Sequence, residues 1–289
     1  MNICALTMVY RDHWALSRWY AHHAGQLGAE NLFIVAHGPD PKISELCPGA
    51  SVLTIPRDGF AHFDRSRAAM LNGFHAGLSE SYDWVIRTDA DELICFDPDR
   101  YASLPEAIAT HADNPVLTAL GFDLVETPGE APLTAAPVLA ERRNLSFSGH
   151  YSKAVAARRA MDFVLHGVRV APRRLATFPF LMPPGLYLAH LKYANAAVLS
   201  EVNAVRMAVG NAEAPGVPGA GWKDADADAT RFFDTFLAKP VLPWAEAEAQ
   251  AYATLSVKPA RLEKGNIVKT RALKLPWRTE LPARFGAQG

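Results

Sequence analysis

The first ninety residues alternate short apolar runs with amphipathic helical patterns, and few folds accept that order. Residues 3–9, Ile3-Cys4-Ala5-Leu6-Thr7-Met8-Val9, read as a buried strand. Asp12 then caps a helix whose apolar face is Leu16, Trp19 with Tyr20, His23 and Leu27, and Gly28 stops it. Residues 32–36 form the next strand, ended by the turn-rich His37-Gly38-Pro39-Asp40-Pro41, and residues 52–55 a third. Asp64 caps a second helix with Leu71, Phe74 and Leu78 on one face, and residues 84–88 are a fourth apolar run that flows into Asp89. Strand, helix, strand, strand, helix, strand predicts an α/β fold with a mostly parallel sheet flanked by helices. In such Rossmann-like sheets ligands gather at the carboxyl ends of the strands. Those ends carry Tyr10-Arg11-Asp12, His37-Gly38-Pro39-Asp40 and Thr88-Asp89-Ala90-Asp91.

Beyond Pro98 the pattern predicts strands at 115–122, 153–158 and 186–191, with a Pro/Ala-rich loop at 127–137. Helices are expected at 195–209, 229–238 and 243–255, the last two preceded by a Gly/Pro-rich loop at 214–221. This divides the chain into a nucleotide-binding and catalytic domain, 1–195, and a small helical C-terminal extension with a basic tail, 196–289. At 49% hydrophobic and 20% charged residues the composition is that of a soluble globular protein. The net charge of -1 lacks the basic footprint of a nucleic-acid binder.

Three cysteines, Cys4, Cys47 and Cys95, lie far apart and form no CxxC pair, so they read as reduced, buried thiols of a cytosolic protein. The chain starts without a signal-peptide pattern, and no run reaches the ~18 apolar residues of a membrane span, so a soluble, cytoplasmic protein is expected. From Lys258 onward, Lys258, Arg261, Lys264, Lys269, Arg271, Lys274, Arg278 and Arg284 face only Glu263 and Glu280. That tail reads as a solvated end or a strap across the domain. The alternative is peripheral contact with the inner face of a membrane or with an anionic acceptor.

An Asp-x-Asp alone carries almost no information, and this chain has several: Asp89/Asp91, Asp97/Asp99, Asp224/Asp226 and Asp226/Asp228. The run from Asp224 to Asp228 lacks the central glycine and closing glutamate of a calcium loop, with Ala229 and Thr235 in those places, and reads as a helix cap. Asp97-Pro98-Asp99 is a turn. Only Asp89 and Asp91 end a buried strand, with both carboxylates at the open sheet edge. Mg²⁺ or Mn²⁺ takes hard oxygen ligands, one or two carboxylates beside phosphate oxygens, and would neutralise the charge that builds on a departing diphosphate. The competing reading is that the pair merely caps the turn.

Residues 82–93, Tyr82-Asp83-Trp84-Val85-Ile86-Arg87-Thr88-Asp89-Ala90-Asp91-Glu92-Leu93, resemble the DWV…DADEF segment of the glycosyltransferase family 2-like group. The opening, with Tyr10-Arg11-Asp12, then Trp19-Tyr20-Ala21-His22-His23, then Gly28-Ala29-Glu30-Asn31-Leu32-Phe33-Ile34-Val35, is similar to that group's start. Leu188-Ala189-His190-Leu191-Lys192-Tyr193 resembles its later HY segment. The matches span roughly residues 3–210 in the expected order. The resemblance implies a GT-A fold, a nucleotide-diphosphate sugar donor, a glycan or lipid-linked acceptor of surface-polysaccharide type, and inversion at the anomeric carbon. It makes Asp89 and Asp91 ligands of metal and diphosphate, with His190 completing the metal shell; a core histidine bonded to backbone is the alternative for His190. Arg11 and Asp12 fall where donor contacts begin, and Asp40 near the loop for base or ribose. The chain departs from the group in that loop, where His37-Gly38-Pro39-Asp40-Pro41 replaces the usual Asp-Asn-x-Ser, and in lacking a clear Glu-Asp pair for the base.

An inverting transfer needs a group to take the acceptor proton. His166 and Asp123 are equal candidates, with Glu126 beside Asp123, while Lys153, Arg65 and Arg67 are candidate phosphate holders or plain surface charges. Two other readings stand beside the glycosyltransferase. One is a nucleotidyltransferase, which the lack of a glycine-rich, basic phosphate loop after the first strand disfavours. The other is a catalytically inactive GT-A-like nucleotide-binding module.

Overall fold

The computed structural model describes residues 1–57 and 59–288. The chain opens with β1 (Ile3–Val9), α1 (His13–Leu27), β2 (Leu32–His37), α2 (Lys42–Leu46), β3 (Ser51–Ile55), α3 (Phe63–Leu78) and β4 (Trp84–Arg87). β1 is buried at every residue because both its faces are covered. Ile3, Ala5 and Val9 share a core with Leu16 and Trp19 of α1, while Cys4, Leu6 and Met8 share one with Leu71 of α3. The alternation of β1 thus serves two helix layers at once, as buried parallel strands require.

The strands β3, β2, β1 and β4 lie side by side in that order and run parallel. Gly28, at φ 86, takes the left-handed turn that ends α1. Asp12 caps that helix as expected, its Oδ1 accepting from the Ala15 amide at 3.1 Å. At α3 the cap differs: His62 occupies the position, and Asp64 lies inside the first turn.

After β4 the chain changes sheets. β5 (Glu92–Phe96), α4 (Leu104–Ala109), β6 (Val116–Thr118), β7 (Leu120–Val125), α5 (Val138–Glu141), β8 (Asn144–Phe147) and β9 (Ala154–Ala157) follow. β9 joins the first sheet antiparallel to β4, and β6 closes its edge. The hairpin β10 (Asp162–Val164) and β11 (Gly167–Arg169) precedes β12 (Leu186–Tyr193). β12 lies between β7 and β5 in a second sheet, where His190 is in register with Asp123 on one side and Glu92 on the other. The expected strand at 115–122 is therefore two strands in two sheets, with Ala119 at the crossing.

The last third holds α6 (Ala196–Gly210), α7 (Ala220–Lys223), α8 (Ala225–Leu237), α9 (Trp244–Leu255) and the short strands β13 (Ala260–Leu262), β14 (Ile267–Lys269) and β15 (Thr279–Glu280). The fold is α/β, with a parallel-rich sheet flanked by helices. Residues after 195 begin as the expected helices but return as strands: β14 and β13 extend the β10–β11 hairpin, and β15 pairs with β8. Ala247, Ala251, Leu275, Leu281 and Phe285 enter the main core with residues of β1 and β12.

The basic tail is a strap, and its cations are largely spent inside the molecule. Arg261 donates to the Phe178 carbonyl at 2.9 Å, Arg271 to Thr254 at 3.0 Å and Lys269 to Leu165 at 2.6 Å. Arg284 clasps Asp97 at 2.7 and 3.0 Å, and Gln288 pairs with both backbone groups of Phe96. The alternative of a membrane-facing tail finds no support in this arrangement. Among the described residues no helix is long and apolar enough to cross a membrane.

Candidate functional site

The turn from Thr88 to Asp91 carries the chain from the first sheet to the second, and its position is fixed from behind by α1. Trp19 is fully buried, and its indole N–H donates to the Thr88 hydroxyl at 2.8 Å. His22 bonds the Ile94 carbonyl at 2.8 Å, and His23 sits against Trp19 and the Ile94 amide. The Trp-x-x-His-His pattern of α1 is thus a clamp on the segment that holds Asp89 and Asp91. From the other side, the Leu191 amide donates to the Asp91 carbonyl at 2.8 Å.

Glu92 closes the turn. Its Oε2 accepts from the Asp89 amide at 2.9 Å, and its Oε1 lies 2.8 Å from the Lys153 ammonium. Lys153, almost fully buried at the start of β9, also reaches Asp89 Oδ2 at 3.2 Å. Arg67 of α3 takes the other Asp89 oxygen at 2.7 Å. Burial alone would raise the Asp89 carboxyl, but Lys153 and Arg67 hold it well below the usual carboxylate range. Burial wins at Glu92, which is pushed up to about 7 against the pull of Lys153.

Asp91 has a different set of partners. Its Oδ2 lies 3.2 Å from Arg206 Nη2 of α6 and 3.4 Å from His190 Nε2. His190 turns its other nitrogen to Asp123 Oδ1 at 2.7 Å, and the Tyr151 ring stacks on the imidazole with centroids 3.7 Å apart. Burial disfavours a charged imidazole, yet the bonds to Asp123 and Asp91 raise His190 to about 9. Asp91 falls to about 2 against its own burial, held down chiefly by His190. Gly121 of β7 makes room for this group: a Cβ there would stand 2.2 Å from the Tyr151 carbonyl carbon.

His166 sits at the tip of the β10–β11 hairpin, where it and Leu165 are the two loop residues, at φ 66 and 48. Side chains with a Cβ seldom adopt that conformation, so the turn is strained by its own residues. His166 Nδ1 faces the His150 carbonyl at 2.6 Å and must therefore carry the proton, leaving Nε2 as the acceptor. Burial, then the Lys153 charge, pulls His166 down to about 3.

The structure thus gathers Asp89, Asp91, Arg67, Lys153 and His190 at one sheet edge, with Asp123 behind His190. Asp123 is 5% exposed, and its Oδ1 is engaged by His190 Nδ1 at 2.7 Å. Glu126 lies away from the turn, paired with Arg142 at 3.2 Å, and Arg65 is exposed on α3. Asp12 lies behind Asp91, its carboxyl raised to about 6 by burial and by that neighbour. Asp12, Trp14, Asp91, Lys192 and Arg206 line a shallow cleft.

A second cluster occupies the ends of β1 and β2. Arg57 lies over the Tyr10 ring at 3.4 Å and bonds His37 Nδ1 at 3.1 Å, with Arg11 at the rim, 5.2 Å from Tyr10. Asp40 is close by but bonded to His13 at 2.7 Å. Sequence reasoning missed Glu92, Arg206, Tyr151 and Arg57. Glu92 stood in the quoted motif without a role, whereas Arg206 meets Asp91 across 115 residues and left no local signal.

The expected metal shell of Asp89, Asp91 and His190 does not form a ligand set here. Both oxygens of Asp89 face cations, and both nitrogens of His190 face carboxylates, which leaves the imidazole no lone pair to offer. Among the described residues, no three of His, Cys, Asp and Glu converge on a point that could hold a metal ion.

No protein-family model matches the sequence, and no curated protein matches it. The resemblance to the family 2-like glycosyltransferases therefore rests on its motifs alone. Solved structures give slight likenesses. One is CMP:2-keto-3-deoxy-manno-octonic acid synthetase complexed with CTP, at 12% identity and TM-score 0.30 over 81% of this chain and 86% of that one. Another is 4-diphosphocytidyl-2C-methyl-D-erythritol synthase, at 15% identity and TM-score 0.30 over 46% and 66%. A third is a mannose-1-phosphate geranyltransferase from Thermus thermophilus, at 12% and 0.31 over 97% and 74%. Likenesses this slight carry no argument about activity, and the strand order above is what defines the fold.

Proposed function

We propose that this chain is a nucleotide-dependent transferase whose site is the sheet edge around Asp89 and Asp91. The observation that carries this reading is the set of fixed cations there. Lys153, Arg67 and Arg206 meet within hydrogen-bond reach of two adjacent aspartates, at the strand end where an α/β sheet binds its ligand. A nucleotide's phosphates would lie against those cations, with the base toward Arg57, Tyr10 and His37, which offer a stacking face and a donor.

Glycosyl transfer from a nucleotide-diphosphate sugar is the first reading. In it, the acceptor hydroxyl attacks the anomeric carbon, the bond from that carbon to the diphosphate breaks, and the diphosphate leaves into the cation cluster. His166 takes the acceptor proton at Nε2, its tautomer fixed by the His150 carbonyl. Burial, with the Lys153 charge beside it, holds His166 low, and the negative charge of a bound diphosphate would raise it. Asp123 acts through His190, keeping Asp91 placed. The acceptor is any glycan or lipid-linked sugar that offers a hydroxyl on the His166 side.

Nucleotidyl transfer is the second reading, favoured by the same cations, which suit a triphosphate as well as a diphosphate. Against it stands the short Tyr10-Arg11-Asp12 connection after β1, with neither a glycine nor a lysine to wrap a triphosphate. The two differ in their products. The protein is incubated with a panel of nucleotide-diphosphate sugars, and separately with nucleoside triphosphates plus sugar 1-phosphates. Release of nucleoside diphosphate from the first supports glycosyl transfer, and pyrophosphate from the second supports nucleotidyl transfer. Silence in both, with no nucleotide bound, would overturn the proposal.

A further inference from the structure

The charge at the β4 edge is already balanced from within the protein. Lys153 is buried between Asp89 and Glu92, at 3.2 and 2.8 Å. Arg67 closes on the outer Asp89 oxygen and Arg206 on Asp91, both from helices that pack over the sheet edge. His190 adds a further positive group, held between Asp91 and Asp123. A divalent ion placed between the aspartates would have to displace Lys153, Arg67 and Arg206 or sit beside them, and like charges at such distances repel strongly where water is scarce.

These cations have donors to spare. An ammonium has three N–H groups, and Lys153 spends two on its carboxylates; a guanidinium has five, and Arg67 and Arg206 spend only a few. The aspartates act as holders: they keep long cationic chains at one place, beside an Asp89 side chain that is 38% exposed.

We propose that the site neutralises the nucleotide's diphosphate with Lys153, Arg67 and Arg206 and binds it without a divalent metal. This rests on the reading of the β4 edge as a nucleotide site, and the test separates the two. UDP, GDP and CDP are titrated into the protein by calorimetry, once in EDTA and once with excess Mn²⁺. The expected result is that at least one binds in EDTA within about threefold of its affinity in Mn²⁺, less than a kcal/mol apart. Lys153→Met and Arg206→Ala each weaken it by about tenfold or more, the loss of a charge-assisted hydrogen bond to phosphate.

Because Lys153 is buried, Lys153→Met is paired with the double variant Lys153→Met/Glu92→Gln, which leaves no orphaned charge. Thermal melts show which proteins are folded. Arg206, on α6, supplies the variant least able to disturb the core. Binding that requires Mn²⁺, or that ignores both Lys153 and Arg206, overturns metal-free binding and leaves the nucleotide site standing. Absence of binding in both buffers overturns the site reading itself, and this inference with it.

Discussion

Asp123→Asn isolates the buried imidazole that holds Asp91 in place. In the folded protein His190 titrates at about 9 rather than its ordinary 6.5, because Asp123 and Asp91 both bond its charged form. A raised histidine contributes stability that is fully present below the unfolded value near 6.5 and is lost as pH rises through about 9. At pH 7 the shift is worth about 2.5 kcal/mol, shared between two carboxylates, so removing one charge costs about 1–2 kcal/mol. His190 is only 3% exposed, so solvent screening takes little from that figure. Asparagine keeps an oxygen for Nδ1–H and so leaves the shape intact.

The assay is urea unfolding of both proteins at pH 6, 7.5 and 10, with the imidazole followed by NMR. The difference in unfolding free energy should be largest at pH 6 to 7.5 and fall below about 0.5 kcal/mol at pH 10. The His190 midpoint should move down in the variant. A pH-independent difference, or an unmoved midpoint, would refute the account of a doubly bonded, charged His190.

Three further outcomes follow from the same geometry. His166→Ala should lower turnover by about 10²–10⁴ while leaving nucleotide affinity nearly unchanged, which rate and binding measurements on one preparation would show. Leu165→Asn should stabilise the protein by about 1 kcal/mol, because asparagine accepts the left-handed backbone that leucine holds at φ 48; a lower melting temperature would count against strain at the hairpin tip. Trp19→Phe should cost about 1–3 kcal/mol by leaving the buried Thr88 hydroxyl without its donor, and hydrogen exchange should quicken through residues 88–96.

Much of the first sheet was legible because each of its strands is a run of apolar residues bounded by a turn signal and followed by a helix with a clear face. β5 escaped because it starts on Glu92, a charge that reads as loop until Lys153 is seen beside it. β6 and β7 merged because no turn residue marks Ala119, where the chain passes from one sheet to the other. The three-residue strands β10, β11, β13 and β14 are too short to show a period, and they hold one another only through pairings up to about a hundred residues apart.

At the site, Asp89, Asp91, Lys153, Arg67, His190 and His166 were all named from sequence: the aspartates because they end an apolar strand, the histidines from their place in the family resemblance, and Lys153 and Arg67 as basic residues able to hold phosphate. Their partnerships were not legible. That Asp123 belongs to His190 is a matter of β7 lying parallel to β12, and that Arg206 belongs to Asp91 is a matter of α6 folding back over the edge. The metal shell was expected from the strand-end place of Asp89 and Asp91 and from the family resemblance, and neither reports the cations that arrive from elsewhere in the chain.

The most direct test of a nucleotide site at the β4 edge is a crystal structure of the protein soaked with the nucleoside diphosphate that binds best. The account expects phosphate oxygens within hydrogen-bond reach of Lys153 Nζ and of Arg67 or Arg206, with the base against Arg57 and Tyr10. A nucleotide bound elsewhere, with Lys153 still closed on Asp89 and Glu92 and no phosphate beside it, would contradict it.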